Sequence, residues 1–232
     1  MSNSTLVDYM RISPNRTSPR NHTIDTITIH CVVGQCSVER LGEIFAPKSR
    51  KASANYGIGV DGRIGLYVEE KDRSWCSSSS SNDHRAITIE CASDTVPPYA
   101  VNDKVYASLI NLLVDVCLRN NIDALRWKAD KSLIGKVQEQ NMTAHRWFAA
   151  KECPGEYLYS RFGKIAEEVN GRLSLARFDA EKAKNKRYNR LSEIPAFAVR
   201  SVGDLINRGR LEDGALDLSY DMVRLIYLIG DR

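Results

Sequence analysis

The sequence predicts an α/β fold: a mixed central β-sheet flanked by helices, with a small α-helical unit at the C-terminus. Three observations carry this prediction. Two segments, "TITIHCVV" at 26–33 and "AITIECA" at 86–92, alternate isoleucine with polar residues, as a strand with one buried face does. Other segments have helical spacing, most clearly 102–119, where Val105, Leu109, Leu112, Leu113, Val116 and Cys117 fall on one stripe. Past residue 171 the chain turns charged and basic, and apolar spacing returns only in two short stretches.

The elements follow in order. Residues 1–26 are polar and turn-rich, with few periodic positions. In 26–33, Ile27 and Ile29 point to one face and Thr28 and His30 to the other. "SVERLGEIFA" (37–46) predicts a short helix with Ser37 as its N-cap. "NYGIGVDGRIGLYV" (55–68) predicts a hairpin turning at Asp61-Gly62. "WCSSSSSNDH" (75–84) reads as a serine-rich loop. A further helix starts after Pro154 and runs to about 170, burying Phe162, Ile165 and Val169 together with Tyr157. The division expected is a main domain over 1–175, a basic segment over 176–190 that is a linker or an exposed helix, and a helical unit over 191–232. In that unit Gly209 closes one helix and Ser219 caps the next.

Composition narrows the function classes. Of 232 residues, 43% are hydrophobic and 27% charged, the profile of a globular chain with a substantial core. The net charge of +4 is too small to indicate a dedicated nucleic-acid binder. No apolar run reaches the roughly 18 residues that a membrane-spanning helix needs. The start "MSNSTLVDYMRISPNR" lacks the layout of a secretion signal, so synthesis in the cytoplasm without standard export is expected. Six cysteines could form three disulfides. Without such a signal, and in a chain this long, free thiols are the expectation. Cys91 and Cys117 sit in apolar runs and read as core residues.

The chemistry-bearing residues converge. His30 and Glu90 end the two similar strands, so pairing of those strands brings both side chains to one side. In "TAHRWFAAKECPG" (143–155), Pro154 keeps the preceding residues out of the helical region. Lys151 and Cys153, two apart in an extended segment, then share a side, and the same loop delivers His145. Two imidazoles and one thiolate form a catalytic-type zinc set, with the fourth position open. Glu90 would carry a proton, and Lys151 would stabilise an oxyanion. A cysteine nucleophile with a histidine partner is the rival reading of Cys153. His22 and His84 have no such frame. Trp147 and Phe148 read as core residues.

"ITIH", "SANYGIGVDGRI", "AITIECAS" and "TAHRWFAAKECPGEYL", in that order, resemble the zinc amidases of the phage-lysin type, a family that includes peptidoglycan recognition proteins and bacterial autolysins. The likeness spans about 24–172. It implies zinc ligands at His30, His145 and Cys153, a catalytic glutamate at Glu90 and the family's lysine at Lys151. It also implies hydrolysis of the amide between N-acetylmuramic acid and L-alanine in peptidoglycan. The chain departs from the pattern at Cys76, where many relatives have histidine, at Asn55-Tyr56, where many read His-Tyr, and at Ala54, where a subset has tyrosine. No substrate-contact residue is assigned.

An endolysin acting on the bacterial cell wall is the reading adopted. The alternatives are a host autolysin, a muropeptide-recycling amidase, or a non-catalytic peptidoglycan-binding module. Residues from about 188 to 232 are similar in helix–glycine turn–helix order to part of a surface-layer homology repeat. So small a unit buries little core alone, so it should dock on the main domain, pair with another copy or bind a wall polymer, the last two being preferred.

Overall fold

The computed structural model describes residues 2–196 and 198–230. The chain divides into two compact units, 1–173 and 174–232. The first contains strands β1 (Tyr9–Met10), β2 (Arg16–Thr17) and β3 (Thr26–Cys31), helix α1 (Val38–Phe45), strands β4 (Tyr56–Ile58), β5 (Ile64–Leu66) and β6 (Arg73–Ser74), and helix α2 (Ser80–Arg85). Strand β7 (Ala86–Cys91), helix α3 (Asp103–Arg119), strand β8 (Met142–Thr143) and helix α4 (Gly155–Tyr159) follow. Helix α5 (Phe162–Asn185) begins in the first unit and ends in the second.

Six strands form one mixed sheet in the order β1-β5-β4-β7-β3-β8. β3 lies parallel to both β7 and β8, and β4 is parallel to β7 but antiparallel to β5. The two similar strands are therefore neighbours. Their register pairs Ile27 with Ile87, Ile29 with Ile89 and His30 with Glu90. The four isoleucines are fully buried, packed with the inward stripe of α3: Val105, Leu109, Leu112, Leu113, Val116 and Cys117. Each such side chain contributes roughly 1.5–3 kcal/mol by leaving water, which fixes the strands against the helix. Asn102 caps α3, its Oδ1 accepting from the Val105 amide at 3.0 Å. Ser37 caps α1 in the same way through the Arg40 amide, at 3.2 Å.

The hairpin forms where the sequence places it, with Gly62 at φ +88°. Several segments differ from the sequence reading; the single helix expected from Pro154 to about 170 is two, α4 and α5, with a break at residues 160–161. The serine-rich stretch is only partly loop: α2 forms because Ser79 accepts the Asn82 amide at 3.3 Å and caps it. A serine run hides this, since serine favours caps and turns over helix interiors. The turn-rich residues 2–26 carry two short strands. β1 adds an edge to the sheet, β2 pairs with β6, and Arg20 is buried. The Arg20 guanidinium donates to the carbonyls of Glu70 at 2.7 Å, Asp72 at 2.9 Å and His84 at 2.9 Å, which compensates its burial.

In the second unit, β9 (Arg187–Tyr188), α6 (Val199–Asn207), β10 (Leu218–Ser219) and α7 (Tyr220–Gly230) enclose a small core of Tyr188, Ile194, Ala198, Val202, Leu218 and Val223. Helix α5 continues through 176–185, the helix that the sequence offered as the alternative to a linker there. Gly209, at φ +64°, follows α6. The Ser219 hydroxyl accepts from the Met222 amide at 3.3 Å. Met222, Leu225, Leu228 and Ile229 of α7 are exposed. No helix among the described residues is long and apolar enough to cross a membrane.

Candidate metal centre and its cleft

Three chain segments meet beside the C-terminal end of β3. The strand carries His30, which is fully buried. A short 3₁₀ turn after β8 carries His145. Cys153 comes from the segment before α4, whose turn back is fixed by the Arg146 amide donating to the Cys153 carbonyl at 3.1 Å. The Arg146 guanidinium adds a bond to the Glu152 carbonyl at 2.7 Å. The eight-residue spacing between His145 and Cys153 is thus the perimeter of a closed loop. Trp147 anchors that loop by stacking on Trp127, with ring centroids 5.0 Å apart.

One donor atom from each of His30, His145 and Cys153 lies within 4.8 Å of the other two. His30 Nδ1 and Cys153 Sγ are 3.3 Å apart. Two ligands of one tetrahedral zinc ion, at about 2.1 and 2.3 Å from it, stand roughly 3.5 Å apart, so the pair has the separation of co-ligands. His145 is oriented by Ser78, whose Oγ is 2.9 Å from Nε2. That contact occupies Nε2 and leaves Nδ1 as the nitrogen free for an ion, as when an outer partner fixes the ring of a metal ligand. The donor set fits a borderline-soft divalent ion.

Electrostatics agree. Burial, with His145 nearby, holds His30 down at about 3, so both its nitrogens stay free of a second proton. Burial likewise lowers His145. Contact with the Cys31 thiol, together with burial and the nearby Glu90, pushes the Cys153 thiol up. It becomes a thiolate only when a cation compensates the charge.

Glu90 sits across the register from His30. Its Oε2 is buried without a hydrogen-bond partner, as is His30 Nε2. Burial raises its carboxyl to about 7. Lys151, exposed, shares with Cys153 and Glu90 the lining of a 210 Å³ cavity. Glu90, His145 and Lys151 also line a larger cleft of about 570 Å³, whose walls carry Arg50, Lys51 and Arg73. All five residues singled out in the sequence therefore converge. His22 and His84 do not: His22 bonds its neighbour's carbonyl, and His84 accepts from the Asn21 amide.

The sequence did not disclose what supports the cleft. Asp83, at the buried end of α2, accepts the amides of Cys76 at 2.9 Å and Ser77 at 3.1 Å, and the Ser77 hydroxyl. Asn82 ties this loop to Thr28 and Thr143 at 3.0 and 2.9 Å. Ser78 is thereby held at φ +63° against His145. The departures at 54–56 are also structural. Ala54 and Asn55 are buried, Asn55 donates to the Val68 carbonyl at 3.1 Å, and the Tyr56 hydroxyl donates to Glu70 at 2.6 Å.

A buried sheet edge that gathers a His/His/Cys cluster, with the Glu90 carboxylate beside it at the mouth of a cationic cleft, can hold a divalent ion next to a proton carrier. A family profile described as N-acetylmuramoyl-L-alanine amidase matches residues 20–156, more than half of the chain, and the chain belongs to that family. Comparison with curated protein sequences gives no match. Among solved structures, a selenomethionine derivative of AmpD superposes with a TM-score of 0.53 at 19% identity, covering 70% of this chain and 96% of that one. A mutant of PlyL gives 0.52 at 12%, covering 70% and 97%. A mutant endolysin from Bacillus subtilis gives 0.51 at 16%, covering 70% and 99%. At these identities the likeness shows the fold, a mixed sheet flanked by helices.

Proposed function

We propose that the protein is a zinc-dependent peptidoglycan amidase, cleaving the bond between N-acetylmuramic acid and L-alanine, and that it acts as an endolysin on the bacterial wall. The observation that carries this reading is the meeting of His30, His145 and Cys153 within 4.8 Å, with Glu90 in register beside His30, in a chain of the amidase family. His30, His145 and Cys153 are the proposed ligands. A zinc ion held there would supply positive charge that polarises the scissile carbonyl and makes a nearby water more acidic.

The side chains do the rest. Glu90, with a carboxyl held near neutrality by burial, takes a proton from the attacking water and hands it to the departing amine. Lys151 brings an ammonium group to the rim, where charge develops on the carbonyl oxygen. Ser78 keeps the His145 ring from turning. Arg50, Lys51 and Arg73 give the cleft a positive lining suited to the carboxylates of a stem peptide. The exposed apolar residues of α7 support a contact surface in the C-terminal unit, for a wall polymer or a second copy.

The test is product chemistry. Purified walls digested by the protein should gain free N-terminal alanine and no new reducing sugar ends. New reducing ends would mean a glycosidase, and neither product would mean a binding module.

A further inference from the structure

Cys76 departs from the family pattern and stands next to Glu90 rather than in the His30–His145–Cys153 set. Its Sγ is 3.8 Å from Glu90 Oε1. Sulfur and carboxylate oxygen bound to one tetrahedral zinc ion stand about 3.6 Å apart. His30, Cys76 and Glu90 together place one donor atom each within 4.8 Å of one another. Two atoms of this group, His30 Nε2 and Glu90 Oε2, are the buried orphans already noted. Buried polar atoms without partners are rare, and an unfilled ligand position is one of the few explanations for them. The loop that carries Cys76 does not drift, because Asp83 holds its amide at 2.9 Å.

We propose that His30, Cys76 and Glu90 form a second seat for a thiophilic divalent ion, and that an ion there silences the enzyme by occupying the carboxylate the reaction needs. Imidazole, thiolate and carboxylate are ligands that zinc, cobalt and cadmium accept together. Binding releases to solvent the Cys76 thiol proton, any proton on the Glu90 carboxyl and the remaining ring proton of His30, whose imidazolate then bridges the two ions through Nδ1 and Nε2. His30 belongs to both sets, so the seat fills when the ion is in excess over the first site. The silencing rests on the proton-carrying role assigned to Glu90; the binding does not.

Titration of the metal-free full chain with cobalt(II), past one equivalent, tests the seat. In the wild type the sulfur-to-cobalt charge-transfer absorption should grow again after the first equivalent. In Cys76→Ser the first rise should remain and the second vanish. In parallel, excess zinc should inhibit wall hydrolysis by the wild type and leave Cys76→Ser active. Cys76→His guards against a folding defect: it should keep the inhibition without the second sulfur band. Identical titrations and identical inhibition in wild type and Cys76→Ser would overturn the proposal, as would a wild type that binds one ion only and tolerates excess zinc. The cobalt titration reads the seat whether or not walls are cleaved, so failure of the amidase reading shows separately, in the end-group assay.

Discussion

Two glutamates of the first unit define opposite uses of a buried carboxylate. Glu70, with no exposure to solvent, is fully partnered. Its Oε1 accepts from the Tyr56 hydroxyl at 2.6 Å and the Arg119 guanidinium at 2.7 Å, and its Oε2 from Asn120 at 3.0 Å. Glu90 has one weak thiol donor and a second oxygen with no partner. Burial in an apolar surrounding is costly for both. At Glu70 the surrounding donors offset that cost, and the result ties β4 and α3 together. At Glu90 the Cys76 thiol and the charge of Arg50 offset it only in part, and a raised proton affinity is the consequence. Titratable groups left in this state are candidates for function, whereas fully satisfied ones are candidates for structure.

The comparison can be broken at several points. The largest effect belongs to neither glutamate but to Cys153, the proposed sulfur ligand of the same site. Cys153→Ser should lose both bound zinc and wall-cleaving activity, read by metal analysis and alanine release; retention of both would remove it from the ligand set. Next, Glu90→Gln should lower turnover by roughly 10²–10⁴-fold with zinc content intact and melting temperature not lowered. Full activity in that variant would take Glu90 out of the mechanism. Glu70→Gln should do the reverse. Loss of the Arg119 pairing should cost about 3 kcal/mol in denaturant unfolding while activity per folded molecule stays near wild type. A Glu70 variant that folds normally but cannot cleave would reverse the two assignments.

The smallest effect is in pH. Burial lifts the Glu90 carboxyl from 4.5 to about 7, so the folded, metal-free protein keeps a proton that the unfolded chain has released. The stabilising contribution is therefore present on the acid side and is lost as pH rises through that window. It amounts to about 2–3 kcal/mol. Denaturant titrations at several pH values should show this slope in the metal-free wild type and a shallower one in Glu90→Gln. Equal slopes would mean that Glu90 titrates normally.

Much of this was legible in the sequence, for a physical reason. The isoleucine alternation in 26–33 and 86–92 fixes both the buried face and the side to which His30 and Glu90 point, so a guess of adjacency sufficed to bring them together. The stripe of 102–119 is local in the same sense. The Pro154-Gly155 corner marks where the segment carrying Lys151 and Cys153 must stop. What escaped depends on long-range hydrogen bonding. Arg20 reaches carbonyls 50 or more residues away, and nothing in "SPRNH" announces that. Ser78 orients His145 from 67 positions off, in a left-handed conformation held by Asp83. In the sequence it is one of five consecutive serines, 77–81, that look alike. The contrast between Glu70 and Glu90 was equally invisible, because it lies in who surrounds each carboxylate.

X-ray absorption at the zinc edge, on protein loaded with a single equivalent, tests the central claim most directly. The account predicts a first coordination shell of one sulfur and two imidazole nitrogens completed by light atoms, with the sulfur lost in Cys153→Ser. A shell without sulfur, or one unchanged by that substitution, would contradict it.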